Sequence, residues 1–324
     1  MRPEPGEAHF RGLRQLTFGG ENAEAYWSFD GTQLVYQATQ GDHPCDQIYR
    51  IAAGGGTPVL LSGNEGRTTC AFFLPGDTRV LFSSTRAAGP GCLPPPDRSH
   101  GYVWKLYPEF DIYTARARDG GDVRPLVTGP GYDAEATVSP AGDRIVFTST
   151  RDGDPEIYTV DLDGKNLRRL THTPGYDGGP FFSPDGSKIV YRANHPEGED
   201  ELASYREIID EHLVRPTRLE LFVMDADGSN QRPITDNGAA NFAPSFHPSG
   251  TRIIFASNVH DPKGRNFDLY LVDLDGSNLE RVTFHPAFDG FPMFSPDGTK
   301  LAFASNRGAA RPGETNVFVA DWKE

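Results

Sequence analysis

The sequence predicts an all-β fold, a six-bladed β-propeller of four-stranded antiparallel blades, on three observations. First, one thirteen-residue phrase recurs six times without gaps: WSFDGTQLVYQAT from Trp27, FLPGDTRVLFSST from Phe73, VSPAGDRIVFTST from Val138, FSPDGSKIVYRAN from Phe182, FHPSGTRIIFASN from Phe246 and FSPDGTKLAFASN from Phe294. Second, nearly every copy is followed by a third and a fourth strand signal, which makes four strands per repeat. Third, the last repeat stops one strand short, while the amino terminus carries a spare strand. Repeats of this size mark supersecondary units that cannot bury their apolar faces alone and must stack.

Each element has a local reason. In Ser183-Pro184-Asp185-Gly186, Pro sets φ at the first corner, Asp bonds nearby backbone and Gly takes the positive φ that closes a hairpin. Lys188-Ile189-Val190-Tyr191 then reads as a strand covered on both faces, because polar alternation is missing. Third strands fall at Ile48-Tyr49, Ile112-Tyr113, Ile157-Tyr158, Leu221-Phe222, Leu269-Tyr270 and Val317-Phe318. Second hairpin turns follow, such as Asp163-Gly164, Asp227-Gly228 and Asp275-Gly276. Fourth strands end at Leu61-Ser62, Val127-Thr128, Leu170-Thr171, Ile234-Thr235 and Val282-Thr283. The sixth fourth strand is expected from Arg14-Gln15-Leu16-Thr17, which matches Arg168-Arg169-Leu170-Thr171. Pairing it into the last blade shuts the ring and removes an exposed edge. One domain over residues 10–324 follows.

The fifth residue of each phrase is Gly31, Asp77, Gly142, Gly186, Gly250 and Gly298, so the steps are 46, 65, 44, 64 and 48. The second and fourth blades therefore carry inserts, at residues 87–109 and 195–217, in loops expected to crown one mouth of the channel. The first insert is rich in proline and aromatic residues (Cys92, Pro94 to Pro96, Tyr102, Trp104, Tyr107) and reads as a lid over its blade or over a ligand. In the second, residues 201–214 read as a short helix with an apolar stripe of Leu202, Tyr205, Ile209 and Leu213. Packing onto the propeller and gating of the mouth both fit it.

Bulk composition narrows the function. Thirty-one Lys and Arg against 45 Asp and Glu leave a net charge of −14, which argues against a nucleic-acid binder and suits a cation or a basic polypeptide. No apolar run is long enough to span a bilayer. The start MRPEPGEAHF lacks the apolar stretch of a secretory signal, which leaves the cytoplasm open. Cys45, Cys70 and Cys92 allow one disulfide with a spare thiol, or three free thiols. A monomer is expected.

The best candidate site comes from aligning the loops that enter the phrases. Five places before each phrase stand Asn22, Thr68, Asp133, Asp177, Asn241 and Asp289, all with a side-chain oxygen. Two places later come Glu24 and Glu135, with Cys70, Gly179, Ala243 and Phe291 at the other blades. Propeller symmetry is expected to gather the first set as a ring at the channel mouth. There Asp133, Asp177, Asp289, Asn22 and Asn241 would hold a calcium-type cation, which takes about six to eight oxygens. Backbone capping is the competing reading, and a metal-free ring that binds polypeptide is a third. The D-x-D-G-x-N turns from Asp161, Asp225 and Asp273 read as hairpins. His172, His285, His195 and His260 read as ordinary loop histidines, and Arg86, Arg151 and Arg307 as partners of nearby acids such as Asp152 and Asp154.

The SPDG turns followed by D-x-D-G-x-N turns resemble the TolB-type propeller repeat over about residues 10 to 324. That resemblance implies the six-bladed fold and a protein- or peptide-binding scaffold in the bacterial envelope, either periplasmic or secreted. The repeat also occurs beside prolyl-oligopeptidase domains and in polysaccharide lyases. There is no G-x-S-x-G nucleophile elbow here, so a serine peptidase is not expected. The alternative function is a metal-dependent hydrolase or lyase acting on a lactone or oligosaccharide in the channel mouth, with Glu24 and Glu135 joining the ligands.

Overall fold

The Ser-Pro-Asp-Gly turns close by local bonding. Gly186 N donates to Ser183 O at 2.8 Å, Ser183 Oγ donates to Asp185 Oδ1 at 2.6 Å, and Gly186 lies at φ +71°. Such a turn joins the inner strand of each blade to the second. In the computed structural model, which describes residues 1–40, 43–264 and 266–324, six four-stranded sheets result. Their inner strands are Glu21–Trp27, Thr68–Phe73, Asp133–Val138, Tyr176–Phe182, Asn241–Phe246 and Asp289–Phe294. Blade six is completed by Phe10–Gln15, which pairs antiparallel with Asn316–Trp322 and sets Leu13 opposite Ala320. The ring closure read from the amino terminus is therefore observed.

One aromatic pair holds the middle of every blade. The tenth residue of the phrase, fully buried each time, faces an aromatic ring directly across the third strand. The pairs are Tyr36–Tyr49, Phe82–Tyr113, Phe147–Tyr158, Tyr191–Phe222, Phe255–Tyr270 and Phe303–Phe318, with centroids 5.7–6.4 Å apart. Direct cross-strand partners of this kind add about 0.5–1.5 kcal/mol beyond their buried area.

A feature absent from the sequence reading also repeats in every blade. Each inner strand carries a β-bulge, with the register slipping between Ala23 and Tyr26 in blade one and at matching places in the others. The bulged residue is left-handed every time: Glu24, Cys70, Glu135, Gly179, Ala243 and Phe291, with φ between +50° and +62°. A bulge bends its strand and re-aims a side chain. That decides which residues face the channel.

The two inserts meet each other. Trp104–Lys105 from blade two pairs antiparallel with Leu213–Val214 from blade four, so the inserts join above blade three. A helix is present, but as α1 (Gly198–Ile209) and not over 201–214: Leu213 lies instead in the strand Leu213–Val214, and the helix packs through Ile208 against Val103 and Leu213. Leu106, Tyr107 and Phe110 pack with Tyr132, Tyr176 and Val214 beneath this roof.

Of the pairings the cysteines left open, the structure has Cys45–Cys92, across a sequence separation of 47, with Cys70 free and buried. The bond ties the first insert to blade one. Cross-linking a loop of this length is worth about 2–4 kcal/mol. The double substitution Cys45→Ser, Cys92→Ser is expected to lower stability by about that much in denaturant titrations. An unchanged midpoint would refute the role given to the bond.

Candidate functional site

Along each inner strand three successive positions do three different jobs. The first, Asn22, Thr68, Asp133, Asp177, Asn241 or Asp289, is completely buried in the seam against the preceding blade. Its backbone N–H donates there to Thr315, Asp46, Phe110, Pro155, Leu219 or Phe267 O, at 2.8–3.1 Å. The side chains are bonded in place there as well, mostly to a partner of their own blade. Arg151 Nη2 donates to both oxygens of Asp133 at 2.8 Å, His195 Nε2 lies 3.0 Å from Asp177 Oδ1, and Arg307 Nη2 reaches Asp289 Oδ2 at 2.6 Å. Gln40 Nε2 donates to Asn22 Oδ1 at 2.7 Å, Ser257 Oγ to Asn241 Oδ1 at 2.7 Å, and Thr68 Oγ1 to Asp46 O at 3.2 Å.

These six residues are therefore equivalent by symmetry, as expected, yet their side chains are spread over six seams. Burial pushes the Asp133 and Asp177 carboxyls up, and Asp289 up to about 6. The donor set does not fit a calcium ion: each Asp already has its own partner, Arg151, His195 or Arg307. Among the described residues no group of three or more His, Cys, Asp or Glu is placed to hold a metal. The histidines are dispersed as well, with His260 3.0 Å from Asp268, His195 on Asp177, His285 4.0 Å from Glu4 and His172 exposed. Arg86 pairs with Glu65, so the geometry shared with Arg151 and Arg307 is acid pairing, though not with Asp152 or Asp154. In the D-x-D-G-x-N turns Asn166, Asn230 and Asn278 donate to Asp161, Asp225 and Asp273 at 2.6–2.7 Å, which accounts for their composition.

The second position faces the channel because the bulge turns it there. Glu24, Cys70, Glu135, Gly179, Ala243 and Phe291 line one cavity of about 960 Å³ below the joined inserts. Strict alternation would give positions one and two the same face; the left-handed residue separates them. Amide groups freed by the bulges are met by side chains of the preceding blade. Gln37 Oε1 accepts from Cys70 N at 3.1 Å, and Glu135 Oε2 from Gly179 N at 2.9 Å.

The third position closes the channel. Tyr26, Phe72 and Phe181, from blades one, two and four, meet with centroids 5.5–6.4 Å apart. Three aromatic side chains in contact, two from the adjacent blades one and two and one from blade four across the axis, give the cavity a floor, so it is a blind pit.

The pit has two unlike halves. On one side Glu135 is ion-paired with Arg192, whose guanidinium also donates to Tyr176 Oη at 2.8 and 3.1 Å and lies 5.0 Å from the Trp104 ring. Arg192 reaches this place because blade four has Gly179 on its bulge; a Cβ there would sit 2.6 Å from Arg192 Nη1. The sequence reading passed over Arg192 and Tyr176, although Gly178-Gly179, the only Gly-Gly among the six aligned inner strands, signals the vacancy. On the other side Phe242 stands 5.0 Å from Phe267 and 5.4 Å from Phe291, and Phe288 is 6.1 Å from Phe242. Charge and hydrogen-bond donors line one wall; aromatic carbon lines the other.

Fold and site together define a six-bladed propeller with a roofed, blind channel. The model of the TolB beta propeller domain matches residues 107–208 and 220–323, and the chain belongs to that family. The Tol-Pal system protein TolB of Bordetella pertussis is 27% identical over 138 residues, 42% of this chain and 26% of the relative. The chain thus matches about a quarter of that relative's length. The solved structure of putative TolB from Agrobacterium tumefaciens superposes with a TM-score of 0.58 at 21% identity, covering 94% of this chain and 91% of the other. An oligogalacturonate lyase from Vibrio parahaemolyticus superposes with a TM-score of 0.54 at 13% identity, covering 95% and 93%. At these identities the structural likeness speaks for the fold alone.

Proposed function

We propose that this protein is a non-catalytic scaffold that takes a segment of a protein or peptide partner into the blind pit. One observation carries the reading: a cavity of about 960 Å³ open toward the insert-bearing face, polar on one wall and aromatic on the other. Concave sites with an apolar lining and a few placed polar groups are built for recognition. Family membership supports a partner-binding role. The Cys45–Cys92 bond supports an oxidising compartment such as the periplasm, where disulfides persist. The alternative of a metal-dependent hydrolase or lyase gains no support from the pit, whose carboxylates are not grouped with further metal donors among the described residues.

The test is photo-crosslinking in cells that make the protein. A benzoylphenylalanine at Tyr102, which is 61% exposed and lines the pit, is expected to give discrete polypeptide adducts. The same group at Leu167, exposed beside the Asp163-Gly164 hairpin of the opposite face, is expected to give none. Equal labelling from both faces, or no adducts from Tyr102, would count against the reading.

A further inference from the structure

Apart from Glu21, exposed at the rim, the pit holds one acid that its walls leave without a counter-ion among the described residues. Glu135 has Arg192, and Asp46 has Arg67 at 3.2 Å. Glu24, on the bulge of blade one, is ion-paired with no Lys, Arg or His among the described residues, and it borders the cavity. The groups that face it are the Cys70 thiol of blade two, which hydrogen-bonds it, Glu135 of blade three, Arg192 of blade four, and Asp46 in the loop of its own blade. Arg192 is drawn to the other side by Glu135 and Tyr176. Lys105 donates to Glu211 O, and Lys263 is exposed, so neither neutralises Glu24. On the neighbouring blade six stands Phe291, with Phe242 and Phe288 packed beside it.

An uncompensated carboxylate in a desolvated cavity is a vacancy for a cation. The aromatic wall beside it disfavours a small hydrated ion as the occupant, because its hydration shell would lie against carbon. An organic ammonium or guanidinium joined to an apolar body satisfies both walls at once. Resting on the peptide-binding reading above, we propose that the pit selects a partner segment in which a lysine or arginine meets Glu24 while a neighbouring aromatic residue packs on Phe291 and Phe242. A chain of net charge −14 also draws such a segment in.

Recognition of this kind depends on pH in a definite direction. Burial is the main cause that pushes the Glu24 carboxyl up, to about 7. Above that pH the group is ionised and holds the cation; as pH falls through 7 it takes a proton and the attraction is lost. A bound cation favours the ionised form in turn, so binding and deprotonation are linked.

The experiment uses the full chain and immobilised synthetic peptides in a Gly/Ser frame, varied at two adjacent positions, at pH 8 and pH 6. Basic–aromatic pairs are expected to bind about tenfold or more tightly than neutral–aromatic or acidic–aromatic ones, the size of one charge-assisted hydrogen bond. Glu24→Gln is expected to erase the basic preference and flatten the pH dependence while keeping the aromatic one, with a melting temperature equal to or above the parent. Phe291→Ser is expected to weaken binding of all aromatic peptides alike. A basic preference that survives Glu24→Gln, or peptides bound with no basic preference, overturns the inference and leaves peptide recognition standing. Failure of every peptide to bind overturns it too, and crosslinking from Tyr102 then decides recognition separately.

Discussion

Removing residues 1–17 is expected to abolish folding of the whole ring. The segment contributes the outer strand of blade six and buries Phe10, Leu13 and Leu16, each at most 7% exposed. At about 1.5–3 kcal/mol per buried side chain, these three alone are worth about 5–9 kcal/mol, comparable to the net stability of an ordinary domain. Deletion also bares Asn316–Trp322 as an unpaired edge of seven residues, which invites association with other chains. Expression should therefore yield aggregated material with no cooperative melt. A permuted chain, with residues 1–17 moved behind Glu324 through a flexible linker, should recover the transition. A truncated protein that melts within a few degrees of the parent would show that the closing strand is dispensable.

The second large effect is expected at Arg307. Its side chain is 4% exposed and is held between two fully buried carboxylates. Nη2 and Nη1 donate to Glu7 at 2.9 and 3.2 Å, and Nη2 also to Asp289 Oδ2 at 2.6 Å; Asp289 Oδ1 has no hydrogen-bond partner among the described residues. Substituting Arg307→Ala strands both acids, and breaking a buried pair from one side costs about 3–5 kcal/mol. The sign with pH follows from Asp289. Its folded pKa, about 6, lies above its value in the unfolded chain, so the folded state binds the extra proton and stability falls as pH rises through 6. Without Arg307 that pKa climbs further. The loss should be largest above pH 7 and shrink toward pH 5, in denaturant titrations at both. Arg118→Ala, which removes a 77% exposed side chain paired with Asp119, should change stability by no more than about 0.5 kcal/mol. Equal losses for the two variants would sink this account.

The candidate site was legible in part. Glu24 and Glu135 were found because aligned repeats place equivalent residues at equivalent radii. The expected ring at Asp133, Asp177 and Asp289 was drawn from the same alignment, and the structure puts those side chains into separate seams. The difference lies in a single backbone feature, the left-handed bulge at Glu24 and its counterparts, which turns one side chain inward and leaves its neighbour two places earlier in the seam. Left-handed φ at glutamate, cysteine or phenylalanine leaves no trace in the residue types, since only Gly179 among the six favours it. Arg192 was missed because its route to the pit passes through the space left by a glycine on the adjacent strand.

What the sequence determined by itself was everything periodic and local: blade number, strand order, hairpin chemistry, the closing strand, and the face on which the inserts lie. Those follow from turn residues and from the burial of short strands, which act over a few positions along the chain. Tertiary structure alone decided the pairing of Cys45 with Cys92, the joining of the inserts at Trp104–Lys105 and Leu213–Val214, the aromatic floor of Tyr26, Phe72 and Phe181, and the solitude of Glu24. Each of these depends on side chains brought together across the axis from different blades, where separation along the chain carries no information about distance.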